Sequence, residues 1–185
     1  MNQHVAIYVG SFDPITHGHL DVLQRSRRLF DRIILGIGHN PDKPAVFSPS
    51  ERLDMVSNLV DELMQANPEG APVSVKPYPG LTVDFAKEVG AAAIIRGIRN
   101  ITDLAVECQL AITNRQVADI ETVFIVTGET YAFTSSSLIR QVAALGGDLD
   151  RLHTIVPQVV IDRMKEKANS PGNPLRGLAE DRHIE

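Results

Sequence analysis

The sequence predicts a single α/β domain built on a doubly wound, five-stranded parallel sheet. Three observations lead to this prediction: five short segments rich in Val and Ile, longer amphipathic segments between them, and regular alternation of the two kinds along the chain. Nearly continuous apolar strands are typical of parallel sheets, because helices cover both faces of such a sheet. Alternation of strands and helices then implies right-handed crossover connections.

The predicted strands are short and mostly β-branched. They cover residues 5–9, 33–37, 73–76, 92–95 and 123–126. In an open parallel sheet, ligands bind outside the carboxyl ends of the strands, where the strand order reverses. We therefore expect the loops that follow these strands to surround one cleft.

Helical periodicity fills the stretches between the strands. Leu20 and Leu23 indicate the first helix. The second starts with a capping box, in which Ser48 is the N-cap and Glu51 is the third helical residue, and its apolar face extends to Leu63. Further helices are predicted over residues 83–89, 102–117, 136–145 and 156–167.

Length and composition fit one globular domain. The chain has 185 residues, of which 43% are hydrophobic and 22% charged. We assign residues 1–167 to the domain, and the polar composition from residue 168 to 185 predicts a flexible tail. The net charge of -5 and the 5% aromatic content argue against nucleic-acid binding, so an anionic substrate would need a local basic cluster.

Cysteine content and hydropathy favour a cytoplasmic protein without membrane association. Cys108 is the single cysteine, which fits a reducing compartment, and its position within a helix predicts that it lies in the core. No apolar run approaches the ~18 to 20 residues of a membrane span, and the first ten residues do not resemble a secretory signal.

The loop after the first strand is rich in groups that bind anions. Gly10 allows a close approach of the backbone to a ligand, Ser11 offers a hydroxyl, and His19 lies in the first turn of the following helix. The alternative is an ordinary strand–helix turn in which His19 is only a cap. We expect His17 to face solvent and Asp13 to serve as a turn residue.

Two arginines follow the fourth strand. Arg96 and Arg99 suit bidentate contacts with phosphate, although arginines at strand ends also pair with carboxylates. Asp103 and Glu107 follow on the next helix, four residues apart. Glu107 has three possible roles: it belongs to a solvated helix face, it contacts a nucleotide, or it orients an arginine.

A serine triplet precedes the fifth helix. One hydroxyl of Ser135, Ser136 and Ser137 must cap that helix. Three hydroxyls beside free N–H groups also form a neutral cradle for phosphate oxygens. On its own the triplet is weak evidence for phosphate binding, and it becomes strong evidence in combination with the first loop.

Together these residues resemble the phosphopantetheine adenylyltransferase family of the nucleotidyltransferase superfamily. Thr16, Gly18 and His19 match the T-x-G-H motif of the superfamily, and the segments 95–99, 103–111 and 135–137 match the narrower family. The resemblance covers about residues 5–165. It implies a Rossmann-like nucleotidyltransferase fold and transfer of AMP from ATP to 4′-phosphopantetheine, which yields dephospho-CoA and pyrophosphate.

The resemblance also implies roles for individual residues. The catalytic residues would be His19, Lys43 and Arg99. The acceptor substrate would be bound by Ser11, Lys43, Thr82 and Arg96. The nucleotide would be bound by Ser11, Phe12, His19, Gly97, Ile98, Arg99, Glu107, Tyr131, Ala132, Phe133, Thr134, Ser135, Ser136 and Ser137.

The implied cofactor is Mg²⁺, held mainly through ATP phosphates and water, and no residue of the chain is predicted as a metal ligand. The family also implies a homo-oligomer, commonly a hexamer, and feedback by CoA. The sequence departs from the family pattern at Ser11, where threonine is usual, and at Val106, where an aromatic residue is usual.

Two other functions share much of this pattern. A sister transferase, acting with CTP on an alcohol phosphate or with ATP on nicotinamide mononucleotide, would have the same first loop. A non-catalytic nucleotide or CoA sensor on the same fold should lack the phosphate-aligning groups Lys43, Arg96 and His19, which are present here.

Overall fold

The computed structural model describes residues 4–38, 45–170 and 175. Five strands form one sheet in the order β3-β2-β1-β4-β5. All neighbouring strands are parallel. Their bounds are β1 Val5–Gly10, β2 Arg32–Ile37, β3 Val73–Pro77, β4 Ala93–Ile98 and β5 Glu121–Val126. The predicted doubly wound parallel sheet is thereby confirmed.

Helices connect the strands and follow the last one. They are α1 His17–Ser26, α2 Pro49–Ala66, α3 Thr82–Glu88, α4 Ile101–Ala118, α5 Ser136–Ala144 and α6 Gln158–Asn169, with short 3₁₀ turns at Glu129–Tyr131 and Leu149–Leu152. The capping box predicted for α2 is present, since the Ser48 side chain accepts from the backbone N–H of Glu51.

The sheet opens at the carboxyl ends of its two central strands. Pairing of β1 with β4 ends at Tyr8 and Ile95, whereas β1 continues along β2 to Gly10 and β4 continues along β5 to Ile98. The strand order reverses between β1 and β4. This is the position at which open α/β sheets form a ligand-binding crevice.

Two apolar clusters cover the two faces of the sheet. The larger one joins the sheet to α1, α2, α5 and α6, and the smaller one lies under α3. Leu175 is fully buried in the larger cluster. The flexible tail predicted from residue 168 stays a prediction, because residues 171–174 and 176–185 lie outside the described part of the chain.

Helix α4 is the least covered element of the fold. It has no buried residue, and its side chains of Val106 and Ile112 are 54% and 57% exposed. Cys108 on this helix is half-buried, so its predicted core position is wrong. The reason is that α4 packs with one side against β4 and β5, and no described element covers its other side.

Among the helices in residues 4–38, 45–170 and 175, none combines the length and the apolar character of a membrane span.

Candidate active site

A cavity of about 290 Å³ lies where β1 and β4 separate. Its walls come from the first loop, the end of β4, the inner side of α4 and the segment between β5 and α5. The residues that line it include Ser11, Phe12, His19, Arg96, Gly97, Arg99, Glu107, Tyr131, Thr134, Ser135, Ser136 and Ser137. Most of the predicted site residues therefore lie around one cavity.

His19 completes an unusual capping box at the start of α1. The Thr16 side chain accepts from the His19 backbone N–H at 3.3 Å, and the His19 ring atom Nδ1 accepts from the Thr16 backbone N–H at 3.0 Å. Because Nδ1 is an acceptor, the proton of the neutral ring lies on Nε2. The imidazole thus caps its helix with one nitrogen and keeps one N–H donor for the cavity.

The surroundings of His19 keep its ring neutral. Burial, and then the positive charges of Arg99 and Arg96, lower the pKa of His19 from 6.5 to about 4. At neutral pH this residue is therefore a hydrogen-bond donor without a charge.

This pKa predicts a stability that depends on pH. The unfolded chain binds a proton at His19 below about pH 6.5 and the folded chain only below about pH 4, so stability is lost as the pH falls through this window. The free energy of unfolding should fall by about 2 kcal/mol between pH 7 and pH 5 from this group alone. Denaturant unfolding of wild type and His19→Gln at both pH values measures it, because glutamine keeps a side-chain acceptor for the capping box. An equal pH dependence in the two proteins would contradict the shift.

An aromatic wall supports the imidazole. The Phe12 ring packs edge-to-face on the His19 ring, with centroids 5.2 Å apart, and on the Tyr8 ring, with centroids 5.5 Å apart. Phe12 reaches this position with a φ of 46°, a conformation that costs a bulky residue about 1 to 3 kcal/mol. A Cβ at Gly10 would lie 3.2 Å from this ring, so Gly10 makes room for Phe12.

Asp13 does more than the predicted turn residue would. Its two carboxylate oxygens accept the backbone N–H groups of Val46 and Phe47 at 2.9 and 3.0 Å, and Asp13 is buried. The interpretation as a turn residue is thus too narrow, because the side chain joins the first loop to the segment before α2. Arg140 donates to the Asp13 carbonyl oxygen at 2.6 Å.

Arg96 is held from two sides. Its Nε and Nη2 donate to the carboxylate oxygens of Glu107 at 2.7 and 2.5 Å, and its Nη1 donates to the Val9 carbonyl oxygen at 2.9 Å. Burial disfavours the charged guanidinium, but the hydrogen bonds and the negative charge of Glu107 outweigh burial and raise the pKa of Arg96. Of the three roles considered for Glu107, the structure shows the orientation of an arginine.

Arg99 joins the end of β4 to the serine segment. Its Nε and Nη2 donate to Asp103 at 2.7 and 2.9 Å, and its Nη1 donates to the Thr134 carbonyl oxygen at 2.7 Å. The hydrogen bond from Arg99 lowers the pKa of the Asp103 carboxyl below its usual value. Both arginines thus pair with carboxylates, and these pairs lie in the wall of the cavity.

The three serines at the start of α5 have separate local partners. The Ser135 side chain accepts from the Leu138 N–H at 3.0 Å and is the N-cap. The Ser136 hydroxyl donates to the Pro14 carbonyl oxygen at 2.8 Å, which ties α5 to the first loop. The Ser137 hydroxyl lies 3.2 Å from Nη2 of Arg140. All three line the cavity beside the N-terminus of α5.

Gly97 sets the distance between α1 and β4. A Cβ at this position would lie 3.0 Å from Cγ2 of Val22 on α1. A carbon–carbon distance of 3.0 Å is shorter than van der Waals contact, so a side chain at position 97 would push α1 away from β4. With glycine there, the Val22 side chain of α1 packs directly on the β4 backbone.

A second cavity of about 110 Å³ adjoins the first. Arg96 and Glu107 line both cavities. Thr82 belongs to the second one, together with Leu110 and Asn114 of α4. The Arg96–Glu107 pair therefore stands at the junction between a larger and a smaller space.

Three predicted site residues in the described part of the chain do not line either cavity. Ile98, the last residue of β4, is buried. Ala132 is half-buried, and Phe133 is 92% exposed. Lys43 lies outside the described residues.

Sequence reasoning missed some residues near the site. Arg140 lines the main cavity, and its signal was an arginine on α5 shortly after the serine triplet. His17 was expected in solvent, but it is half-buried, and its ring centroid lies 6.4 Å from that of Tyr131. The turn that carries Tyr131 packs over the start of α1, which explains the difference.

Within the part of the chain that the structure describes, no three His, Cys, Asp or Glu side chains are grouped so that they could hold a metal ion. The two carboxylates nearest to the cavity, Asp103 and Glu107, are each paired with an arginine.

Comparisons with known proteins identify the family to which the chain is similar. Residues 7–142 match the family model described as Cytidylyltransferase-like. The phosphopantetheine adenylyltransferase of Rhodopirellula baltica is 41% identical over 172 residues, which cover 92% of either chain. The enzyme of that name from Desulfosudis oleivorans is 44% identical over 164 residues, or 88% of this chain and 92% of the relative.

A solved structure shares the fold at low sequence identity. The Plasmodium falciparum nicotinic acid mononucleotide adenylyltransferase complexed with NaAD superposes with a TM-score of 0.63 at 17% identity, covering 89% of this chain and 96% of that chain.

Proposed function

The chain belongs to the phosphopantetheine adenylyltransferase family, and on this premise we propose that it transfers AMP from ATP to 4′-phosphopantetheine. A phosphate oxygen of the acceptor attacks the α-phosphorus, the bond between the α-phosphorus and its bridging oxygen to the β-phosphorus breaks, and pyrophosphate leaves. The products are dephospho-CoA and pyrophosphate. This is the step of coenzyme A biosynthesis that the family name describes.

The observation that carries this proposal is the junction of the two cavities at Arg96. The larger space, lined by His19, Arg99 and the N-terminus of α5, suits the nucleotide and its phosphates. The smaller space beyond Arg96, which Thr82 lines, suits the uncharged arm of the acceptor. Arg96 then lies where the acceptor phosphate meets the α-phosphate.

The chemistry needs no nucleophile from the protein. The acceptor phosphate has a second pKa near ~6 and is largely dianionic at neutral pH. The protein has to align two anions that repel each other, and such positioning can lower a barrier by roughly 7 to 11 kcal/mol. Lys43, Arg96 and Arg99 would offset the repulsion.

His19 would serve the transition state as a neutral donor. Its Nε2–H takes no part in the capping box, and His19 lines the main cavity. Negative charge develops on the oxygens around the α-phosphorus during transfer, and one well-placed donor lowers the barrier by on the order of 3 kcal/mol. A charged imidazolium is not required for this role.

Mg²⁺ fits this proposal as an ion bound to ATP phosphates and water, since Asp103 and Glu107 are paired with arginines. When bound, it would neutralise charge on the phosphates.

We also propose a cytoplasmic location, because the donor ATP is available there. We further expect inhibition by CoA, because its pantetheine arm resembles that of the acceptor and would compete for the same space.

We further propose that the protein is a homo-oligomer, commonly a hexamer in the family, which associates through α4. Its exposed apolar residues support this proposal, because a helix without any buried residue has an apolar surface to cover. Ile112→Glu should reduce the molar mass in solution, measured by light scattering after gel filtration, because a carboxylate would be buried at the interface. Leu145→Glu, at a residue that is 67% exposed on the end of α5, should leave the mass unchanged. A monomeric wild type would contradict the proposal.

The direct test of the function is pyrophosphate release measured across donors and acceptors. ATP with 4′-phosphopantetheine should be the productive pair by a wide margin. A sister transferase would prefer nicotinamide mononucleotide as acceptor, or CTP with an alcohol phosphate. A sensor would bind ATP or CoA tightly and release no pyrophosphate with any acceptor.

A further inference from the structure

Two arginines are almost fully buried in the described parts of the chain. Arg27, the C-cap of α1, and Arg52 on α2 are each 3% exposed. Arg27 donates to the carbonyl oxygens of Ala71 and Asn67 at 2.8 Å and to the Gln24 side chain at 3.0 Å. These bonds fasten the end of α1 to the connection between α2 and β3, away from both cavities, which is a structural task.

Arg52 has a different environment. Its Nη1 donates to the carbonyl oxygens of Ser11 at 2.8 Å and Gly38 at 2.9 Å. Among the described residues no carboxylate forms an ion pair with it, and its buried Nε has no hydrogen-bond acceptor. Arg27 likewise forms no ion pair with a carboxylate among the described residues, but its buried side-chain donors are satisfied. The unsatisfied Nε of Arg52 is costly, so this arrangement is poorly explained by stability alone.

The two acceptors of Arg52 follow the ends of neighbouring strands. Ser11 follows β1, Gly38 follows β2, and the Gly38 N–H also donates to the Gly10 carbonyl oxygen at 2.9 Å. Arg52 therefore links the residues that directly follow β1 and β2, at the start of the first loop. A trans peptide is planar, so fixing the Ser11 carbonyl oxygen towards α2 directs the Phe12 N–H to the opposite side. Ser11 and Phe12 both line the main cavity.

We infer that Arg52 is a positioning residue for the phosphates of the nucleotide: it fixes the peptide between Ser11 and Phe12, and its positive charge favours an anion above that peptide. This inference rests on the proposed function for the identity of the nucleotide. Arg52 acts through the loop and contributes no side chain to the lining of the cavity.

The test compares Arg52 with the matched buried Arg27. Arg52→Met and Arg27→Met should both lower the melting temperature, since each removes buried hydrogen bonds. Only Arg52→Met should weaken ATP binding in calorimetry, by about tenfold or more, and lower kcat/KM for ATP accordingly. Arg52→Lys should recover part of the ATP affinity, because it restores the positive charge but not both hydrogen bonds to the carbonyl oxygens of Ser11 and Gly38. Equal ATP affinities in Arg52→Met, Arg27→Met and wild type, measured well below the melting temperatures, would overturn the inference.

A second measurement applies if Arg52→Met does not fold. Ser11→Ala should reduce kcat/KM for ATP in wild type, and it should do so by a smaller factor in the Arg52→Lys background, because the loop is already displaced there. Independent, multiplicative effects would overturn the inference. The proposed function fails separately: wild type would then release no pyrophosphate with 4′-phosphopantetheine, while the ATP affinities of the Arg52 and Arg27 variants would still decide the role of Arg52.

Discussion

His19→Ala should lower turnover by about 10²- to 10³-fold while ATP affinity stays within a few-fold of wild type. The imidazole donates from Nε2 to an oxygen whose charge grows only as the α-phosphoryl group is transferred, so its loss affects the transition state far more than the bound ATP. Steady-state pyrophosphate release gives the turnover, and calorimetry gives the ATP affinity. A variant that keeps more than about a tenth of wild-type turnover would show that the assigned role is wrong.

Two further variants separate this role from the capping of α1. His19→Gln retains an acceptor for the Thr16 N–H, so it should restore stability lost in His19→Ala without restoring turnover. His17→Ala alters the neighbouring histidine, which does not line the cavity, and should keep turnover within about threefold of wild type. Recovery of activity in His19→Gln would indicate that the helix cap, and not the imidazole donor, supports catalysis.

Arg96→Ala should raise KM for 4′-phosphopantetheine by on the order of 10²-fold. The substitution removes a bidentate guanidinium from the junction of the cavities, and it also leaves the Glu107 carboxylate, whose side chain is 14% exposed, without its partner. An unpaired carboxylate at that place repels a dianionic phosphate. The measurement is the dependence of the rate on acceptor concentration at saturating ATP.

The double variant Arg96→Ala/Glu107→Gln tests the second part of this argument. It removes the repulsive charge as well, so its KM for the acceptor should lie between those of wild type and Arg96→Ala. Lys43→Ala should also raise this KM. The control is Arg163→Ala, since Arg163 lies on α6 in loose ion pairs of 3.8 Å with Asp54 and Glu166, far from the cavity walls. Unchanged acceptor affinity in both Arg96→Ala and Lys43→Ala would reject their assignment.

Much of the fold could be predicted because its signals are local. The five strands were recognised as apolar, β-branched runs, and the start of α2 as a capping box. The general rule that ligands bind at carboxyl ends of strands was enough to bring residues from distant loops, such as His19, Arg96 and Ser136, to one place.

What the sequence could not determine is which side chains meet across the fold. The Arg99–Asp103 pair has the common i,i+4 spacing, but Arg96 pairs with Glu107 at a separation of 11 residues, and no spacing rule predicts that contact. Cys108 was expected in the core because it lies within a helix, yet burial depends on what covers each face of that helix, and α4 has no buried residue. No sequence pattern singled out Arg52, and only the approach of two loop carbonyls reveals its burial.

The bare backbone at position 97 has a consequence for the geometry of transfer. Helix α1 carries the imidazole in its first turn, and β4 carries the guanidinium near its end. The two elements meet where the Val22 side chain of α1 packs on the bare backbone of Gly97. The distance between the imidazole and the guanidinium, across which the phosphoryl group would be transferred, is therefore determined by the packing of helix on strand. The side chains themselves can move, but the spacing of the two backbone elements that carry them is fixed by this contact.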